Sequence, residues 1–139
     1  LPDQERAADI QAVGRLDADT TGVLLITNDG QFNHRMTSPK HKVDKIYRAT
    51  LKHAADPSLC AQLQAGVLLH DDNETVAAQA AELHDAHTLI LTIREGKYHQ
   101  VKRMVAAAGN RVEQLHRLQF GPWDTQDLQA GEWRFIRVE

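Results

Sequence analysis

Cysteine and long apolar runs are scarce in this sequence of 139 residues. Its single cysteine, Cys60, cannot form a disulfide within the chain, which excludes a disulfide-stapled secreted scaffold. No apolar run approaches the roughly 20 residues that a membrane-spanning helix needs, and we expect no membrane function. The sequence opens without a charged and then apolar leader, so we expect a cytoplasmic protein.

The length and composition suit one globular domain. The chain has 139 residues, of which 42% are hydrophobic and 25% are charged. A domain of this size can bury a core without help from a metal or a disulfide, and the balance of residue types is ordinary for a water-soluble fold. We therefore expect one compact unit.

Charge is distributed unevenly along the chain. The formal net charge is −3, but residues 31–53 carry +5 and residues 94–117 carry +4, which leaves −12 on the remainder. A basic face of this kind can bind a polyanion while the acidic remainder keeps the protein in solution. Two solvated faces without a partner would give the same distribution, so charge alone leaves both interpretations open.

The spacing of apolar residues and of turn residues predicts the secondary structure. Strands are predicted at 23–27, 43–51, 77–83, 88–93, 111–120 and 132–138. Helices are predicted at 31–39, at 57–65 before Gly66, and at 99–108 before Gly109, with an acidic turn at 70–74. Strands that follow one another through short connections, with a few helices between them, predict an α+β fold with a mixed, mostly antiparallel sheet and a few flanking helices.

Residues 14–22, GRLDADTTG, place two carboxylates beside two hydroxyls. One interpretation is a turn, because short polar side chains accept backbone hydrogen bonds. A second is the DxDxT pattern of magnesium-dependent aspartyl-phosphate hydrolases, although Gly14 and Arg15 interrupt the buried strand that should precede it. A third makes Asp17 a nucleophile without a metal, which requires a nearby cation to keep it ionised.

Candidate cations for the third interpretation lie at residues 95–104, EGKYHQVKRM. Lys102 and Arg103 are in the first turns of the predicted helix. The amino terminus of that helix and the glycine loop before it expose N–H groups that suit phosphate, so the segment can hold an RNA backbone and supply a cation. An amphipathic helix with a solvated face is the simpler alternative.

Three motifs together resemble the RsuA-type pseudouridine synthases. They are GRLDxDTxG at 14–22, KIY at 45–47 and EGxxxQVxRM at 95–104, in the family's order. The EGKYHQVKRM spelling followed by LHR at 115–117 is most similar to the branch that modifies small-subunit ribosomal RNA. The resemblance implies the pseudouridine synthase catalytic fold and isomerisation of a uridine in ribosomal RNA, without a cofactor.

The resemblance also assigns roles at the active site. Asp17 corresponds to the catalytic aspartate, which attacks or otherwise activates the nucleoside. Tyr47 matches the tyrosine that stacks on the extruded uracil. Lys102 stands where the superfamily has a basic residue paired with that aspartate, and Arg103 is its substitute. Arg15 matches the arginine that enters the space left by the flipped base.

Other residues are expected to bind RNA or to support the catalytic loop. Basic side chains add affinity for phosphates but little choice of sequence, and solvated lysines are the alternative for each. Asp19 is expected to hold the loop through hydrogen bonds, or to pair with Arg15. The expected RNA-binding residues are Arg15, Lys40, Lys42, Lys45, Lys97, His99, Gln100, Arg103 and Arg111, and the expected supporting residues are Asp19, Thr20 and Thr21.

The family's amino-terminal S4-like domain and the first part of its catalytic domain are not found in residues 1–139, so we expect a partial catalytic domain. Apolar edges left exposed would favour self-association or a completing partner. The expected partner is ribosomal RNA or a pre-ribosomal particle, and a non-catalytic RNA-binding fragment is the main alternative to an enzyme. Eight histidines complete no recognisable ligand set, and we expect no metal.

Overall fold

The computed structural model describes residues 10–38, 40–125 and 128–136. These residues form ten strands and three helices. The strands are β1 (Gln11–Ala12), β2 (Thr20–Gly22), β3 (Ile26–Thr27), β4 (Lys45–Leu51), β5 (Val67–Leu69), β6 (Glu74–Val76), β7 (Ala80–Asp85), β8 (Thr88–Ile93), β9 (Val112–Phe120) and β10 (Trp123–Asp124). The helices are α1 (Gly30–Thr37), α2 (Pro57–Ala65) and α3 (Gln100–Ala107). None of these described helices is long and apolar enough to cross a membrane.

A six-stranded sheet forms the centre of the described fold. The strand order is β10-β9-β4-β8-β7, and β2 pairs with β9 as well. The pairing of β2 with β9 is parallel, whereas the other pairs in this sheet are antiparallel. Two small sheets, β1 with β3 and β5 with β6, complete the described strands. The α+β class with a mixed, mostly antiparallel sheet is therefore confirmed.

The main hydrophobic core lies on one face of this sheet. Side chains alternate along each strand, so every second residue of β4 and β8 points into the core. Arg48, which lies between Tyr47 and Ala49 on β4, is exposed. Helices α2 and α3 bury their apolar stripes against that face. The cluster includes Ala49, Leu51, Leu89, Leu91, Ile93 and Leu115 from the sheet, and Leu59, Leu63, Val101, Met104 and Val105 from the helices. Each large side chain buried there contributes about 1.5–3 kcal/mol relative to exposure.

A second cluster joins the first part of the chain to the end of the sheet. Val13, Val23, Leu25 and Phe32 pack with Phe120, the last residue of β9. Because α1 carries Phe32 and the flanks of residues 14–22 carry Val13 and Val23, this packing fixes the position of the segment that contains both aspartates.

Side-chain caps define where two of the helices begin. Asp29 accepts hydrogen bonds from the amides of Gln31 and Phe32 at 3.0 and 3.2 Å, and α1 starts directly after it. Asp56 accepts from the amide of Ser58 at 2.8 Å, and a proline follows at the first position of α2. Such caps satisfy amide groups that have no partner within the helix, which is why these starts agree with the sequence.

Most predicted elements are confirmed to within three residues at each end, and two strands are corrected. The strand predicted at 23–27 is limited to β3, because only Ile26 and Thr27 are paired with another strand, β1, although burial alternates from Val23 to Ile26. The strand predicted at 132–138 is not formed in residues 132–136, and residues 137–138 lie outside the described part. Strands β1, β2, β5, β6 and β10 were not predicted, since two or three residues are too few to show an alternating pattern.

Gly22 allows β2 to approach β9 unusually closely. It has φ +116°, and a Cβ at this position would lie 2.1 Å from the carbonyl oxygen and 2.6 Å from the nitrogen of Arg117. Neither backbone atom can move without breaking the sheet, because Gly22 and Arg117 are Cα partners in the parallel ladder. Only glycine fits here.

We expect Gly22→Ala to lower the free energy of unfolding by about 3 kcal/mol or more, because a methyl group would push β2 off β9. Gly109→Ala is the matched control. Gly109 also has a positive φ, +91°, but no atom lies within 4 Å of its Cβ position, so it should cost only the conformational strain, about 1–2 kcal/mol. Urea denaturation measures both values, and equal losses would contradict the role of the close backbone contact.

Candidate active site

A cavity of about 600 Å³ lies between the end of the sheet, the loop that precedes β2, and the start of α3. Strands β4 and β9 supply part of its lining, so the main core continues directly into it. The sequence-predicted residues that line it are Arg15, Asp17, Thr20, Lys42, Lys45, Tyr47, Lys97, His99 and Gln100. The predicted residues outside this lining are Asp19, Thr21, Lys40, Lys102, Arg103 and Arg111.

Local hydrogen bonds carry Asp17 to the cavity. The amide of Thr20 donates to the carbonyl oxygen of Asp17 at 2.9 Å, which closes a turn immediately before β2. The hydroxyl of Thr21 lies 2.7 Å from Nδ1 of His116, on the neighbouring strand β9. The turn interpretation and the site interpretation are therefore compatible, because the turn is what presents the half-buried carboxylate of Asp17.

Lys102 on α3 contacts both carboxylates of this loop. Its Nζ lies 2.7 Å from Oδ1 of Asp19 and 3.5 Å from Oδ2 of Asp17. The hydrogen bond between Lys102 and Asp19 raises the pKa of Lys102 and lowers the pKa of Asp19. Asp19 is exposed, so this pair adds little stability, but it fixes the position of the ammonium group beside Asp17.

Arg103, the other candidate cation, has different partners. Its Nη2 lies 3.0 Å from Oδ2 of Asp72, and its Nη1 donates to the carbonyl oxygen of Tyr98 at 2.8 Å. Lys102 is therefore the cation that the structure brings to Asp17. An RNA contact by Arg103 stays a prediction, and it would require the ion pair with Asp72 to open.

His99 is a direct neighbour of Asp17. Its Nε2 lies 3.5 Å from Oδ1 of Asp17, and its ring stacks on that of Tyr98 with centroids 3.9 Å apart. The backbone of His99 is left-handed, with φ 48°. Non-glycine residues adopt this conformation at a cost and mainly where their surroundings enforce it, often in functional sites. The sequence predicted an RNA contact for His99, and the structure adds its contact with Asp17.

Two predicted RNA-binding residues make bonds within the protein. Gln100 is buried, and its amide nitrogen donates to Glu95 at 2.9 Å while its side-chain oxygen accepts from the amide of Lys97 at 3.1 Å. The ammonium of Lys97 forms an ion pair with Glu74, and that hydrogen bond raises the pKa of Lys97. This geometry favours bracing of the 95–100 loop by both residues, and their RNA contacts stay predictions.

The remaining predicted residues lie on or around the cavity rim. Tyr47 and Lys45 belong to the face of β4 that continues into the core. Lys42, with φ 45°, and Arg15 are exposed and line the cavity. Arg15 does not pair with Asp19, which is held by Lys102. Lys40 and Arg111 are exposed away from the cavity lining.

Arg117 is a cavity residue for which the sequence predicted no role. It is only 3% exposed and lines the cavity from β9, two residues after the core residue Leu115. The sequence does contain one indication of this position: Arg117 lies two residues after Leu115, so in an alternating strand both side chains point to the buried face. That indication is weak, because burial of an arginine cannot be inferred before the strand's neighbours are known.

We expect Lys102→Met to raise the pKa of Asp19 towards its ordinary value, because the hydrogen bond and the positive charge that favour its ionised form are lost. Side-chain carboxyl shifts followed by NMR over pH measure this change. Asp56 is an internal control, since hydrogen bonds from Ser58 lower its pKa and do not involve Lys102. An unchanged Asp19 titration would contradict the ion pair. The stabilisation from Asp19 should be present above its unfolded pKa and disappear as pH falls through the lowered folded value.

Comparison with known proteins identifies the relatives of this chain. Residues 1–107 match the family described as RNA pseudouridylate synthase. The chain is 46% identical to ribosomal small subunit pseudouridine synthase A of Vibrio vulnificus over all of its length, and 44% identical to the Escherichia coli protein of that name over 99% of it. It spans about 60% of the length of these relatives.

A solved structure gives the same relationship at the level of the fold. A crystal structure described as a pseudouridylate synthase superposes with a TM-score of 0.88 and 44% sequence identity, over 93% of this chain and 56% of that one. With the family match and the relatives above, this places the chain, as the resemblance of its three motifs implied, in the RNA pseudouridylate synthase family.

Proposed function

We propose that this chain carries the catalytic site of a synthase that converts a uridine in small-subunit ribosomal RNA to pseudouridine. One arrangement carries the proposal: Asp17 lines a cavity together with Tyr47, and it is held between Lys102 and His99. The similarity to small-subunit enzymes supports the choice of RNA. Its partner would be ribosomal RNA or a pre-ribosomal particle, and the reaction would take place in the cytoplasm.

The proposed reaction rearranges the nucleoside without any outside reactant. The bond from ribose C1′ to uracil N1 breaks, the base turns, and a new bond forms from C1′ to C5. C5 loses a proton and N1 gains one, so the composition of the RNA does not change. Asp17 would act as a carboxylate, either on the ribose or on the base, with the ammonium of Lys102 lying 3.5 Å from its Oδ2.

Tyr47 and Arg15 fit the handling of an extruded base. A uridine in structured RNA must leave its stack to reach a carboxylate inside a cavity. The ring of Tyr47 lies in the cavity lining, where it can stack on uracil. Arg15 is exposed at the rim, two residues before Asp17, where its flat cation can occupy the space that the base leaves in the RNA.

The geometry disfavours the aspartyl-phosphate hydrolase. That chemistry needs a magnesium ion beside the two aspartates, but Lys102 places its ammonium within 3.5 Å of Asp17 and 2.7 Å of Asp19. Among the described residues no group of three or more His, Cys, Asp and Glu side chains could hold a metal. The non-catalytic RNA-binding alternative is separated from the enzyme by the next experiment.

We expect Asp17→Asn to reduce pseudouridine formation roughly 10⁴-fold or more, the scale on which loss of an essential nucleophile acts. RNA affinity should stay within about twofold of the unchanged chain, because the amide has nearly the same shape. Asp19→Asn is the matched control, and we expect only about a tenfold loss from it, since Asp19 holds Lys102 and does not face the cavity.

The measurement is chemical mapping of pseudouridine in small-subunit ribosomal RNA transcripts. The chain is assayed beside a version extended to the full length of its relatives, because it spans only about 60% of their length. RNA binding without product in both versions would favour the non-catalytic alternative. Equal losses in Asp17→Asn and Asp19→Asn would remove the special role of Asp17.

We expect the affinity for RNA to fall steeply with salt, and Lys42→Met to reduce that dependence. Each phosphate contact contributes about 0.7–0.9 to the slope of log affinity against log salt, so loss of one contact should lower the slope by about that amount. Lys52→Met is the control, because Lys52 is exposed and lies outside the cavity lining. Fluorescence anisotropy with a labelled transcript measures both slopes. Equal slopes in all three proteins would exclude a phosphate contact at Lys42.

A further inference from the structure

Arg117 is a buried cation without an acidic partner in the described structure. Its Nε donates to the carbonyl oxygen of Val23 at 2.9 Å, and its guanidinium carbon lies 4.9 Å from the centre of the Phe120 ring. Its Nη2 is fully buried and makes no hydrogen bond, and no ion pair with Arg117 occurs among the described residues. Such an unsatisfied buried donor costs free energy in the folded protein.

Two basic side chains, Arg117 and Lys45, lie at this end of the cavity, and Glu95 and Asp44 are the acidic neighbours of Lys45. Lys45 lies 5.8 Å from the same Phe120 ring, on the opposite strand, and also lines the cavity. Burial first, and then the charge of Arg117, lower the pKa of Lys45. The hydroxyl of Thr20 is a second buried polar atom without a hydrogen bond in the same lining. Buried polar groups in folded proteins normally have a hydrogen-bond partner, and a polar ligand in this cavity would supply one.

The depth of Arg117 decides which part of the RNA it can meet. Phosphates stay on the RNA backbone at the mouth of the cavity, where exposed side chains such as Arg15 and Lys42 are available. Arg117 is 3% exposed and is the Cα partner of Tyr47 in the sheet. The group that an extruded nucleotide carries furthest into a cavity is its base. Arg117 is therefore placed beside the ring that would stack on Tyr47.

We propose that Arg117 binds a ring carbonyl oxygen of the extruded uracil and stabilises the negative charge that this ring carries during the reaction. This inference rests on the proposed function. When the bond from C1′ to N1 breaks, its electron pair stays on the base and spreads over N1 and the carbonyl oxygens. When C5 then bonds to C1′, the pair is used in that bond, the C5 proton leaves and N1 is protonated.

A fixed cation is well suited to this charge. Donors that are oriented before the reaction, in a site with little water, stabilise a developing oxyanion much more than water does. Arg117 is held in place by its bond to Val23 and by the ring of Phe120. The charge on uracil is larger in the transition state than in the bound substrate, and Arg117 should therefore act on rate more than on affinity.

The test compares Arg117→Met, Arg117→Lys and the unchanged chain in single-turnover assays on the ribosomal RNA transcript. We expect Arg117→Met to lower the rate about 100-fold and Arg117→Lys about tenfold, with RNA affinity and its salt slope unchanged. Arg48→Met is the control, because Arg48 follows Tyr47 on β4 but is exposed and lies outside the cavity lining. Circular dichroism melts of all variants monitor folding.

Each outcome has a distinct meaning. A rate of Arg117→Met equal to that of the unchanged chain would overturn the inference alone. A loss of affinity with a smaller salt slope, at an unchanged single-turnover rate, would assign Arg117 to a phosphate and also overturn it. If Arg117→Met does not fold, the folded Arg117→Lys decides, and its full activity would overturn the inference. Absence of product from the unchanged chain and its full-length version would overturn the proposed function, and the inference with it.

Discussion

The backbone of Gly22 lies directly against the backbone of Arg117, and the arrangement of the site depends on this contact. This contact lets β2 pair with β9 as the one parallel pair of an otherwise antiparallel sheet in the described structure. Residues 20–22 are thereby paired with residues 115–117 of β9, and Arg117 is in turn the Cα partner of Tyr47 on β4. The loop with Asp17 is therefore fixed at its end by β2, and its contacts with Lys102 and His99 hold it from the side of α3.

Helix α3 completes the site from the other side. Its apolar stripe packs into the main core, which fixes its rotation, and this rotation directs Lys102 towards the loop and Arg103 towards Asp72. The left-handed His99 sets the start of the helix at the cavity. Asp19 then acts as a spacer, holding Lys102 where its charge also reaches Asp17. The two aspartates have different environments although only one residue separates them in sequence.

Much of the fold follows from local patterns in the sequence. Helix α2 and strand β8 have their predicted bounds, because Asp56, Pro57 and Gly66 mark the ends of α2 and because β8 is a short run of apolar and β-branched residues whose burial alternates. The strand predicted at 132–138 has similar local features, yet residues 132–136 form no strand in the described structure. A strand requires a neighbouring edge with which to pair, and that requirement is not visible in a local pattern.

The sequence by itself determined the family, the class of fold and the candidate aspartate, because motif spelling and short-range periodicity are properties of the chain. Only the tertiary structure decided that Lys102 and not Arg103 lies beside Asp17, that Gln100 is turned inward and that Arg117 lines the cavity. These outcomes depend on the rotation of α3 and on the parallel pairing of β2 with β9. The pairing joins segments about 95 residues apart in the chain, and the rotation of α3 depends on the core around it, which no local pattern records.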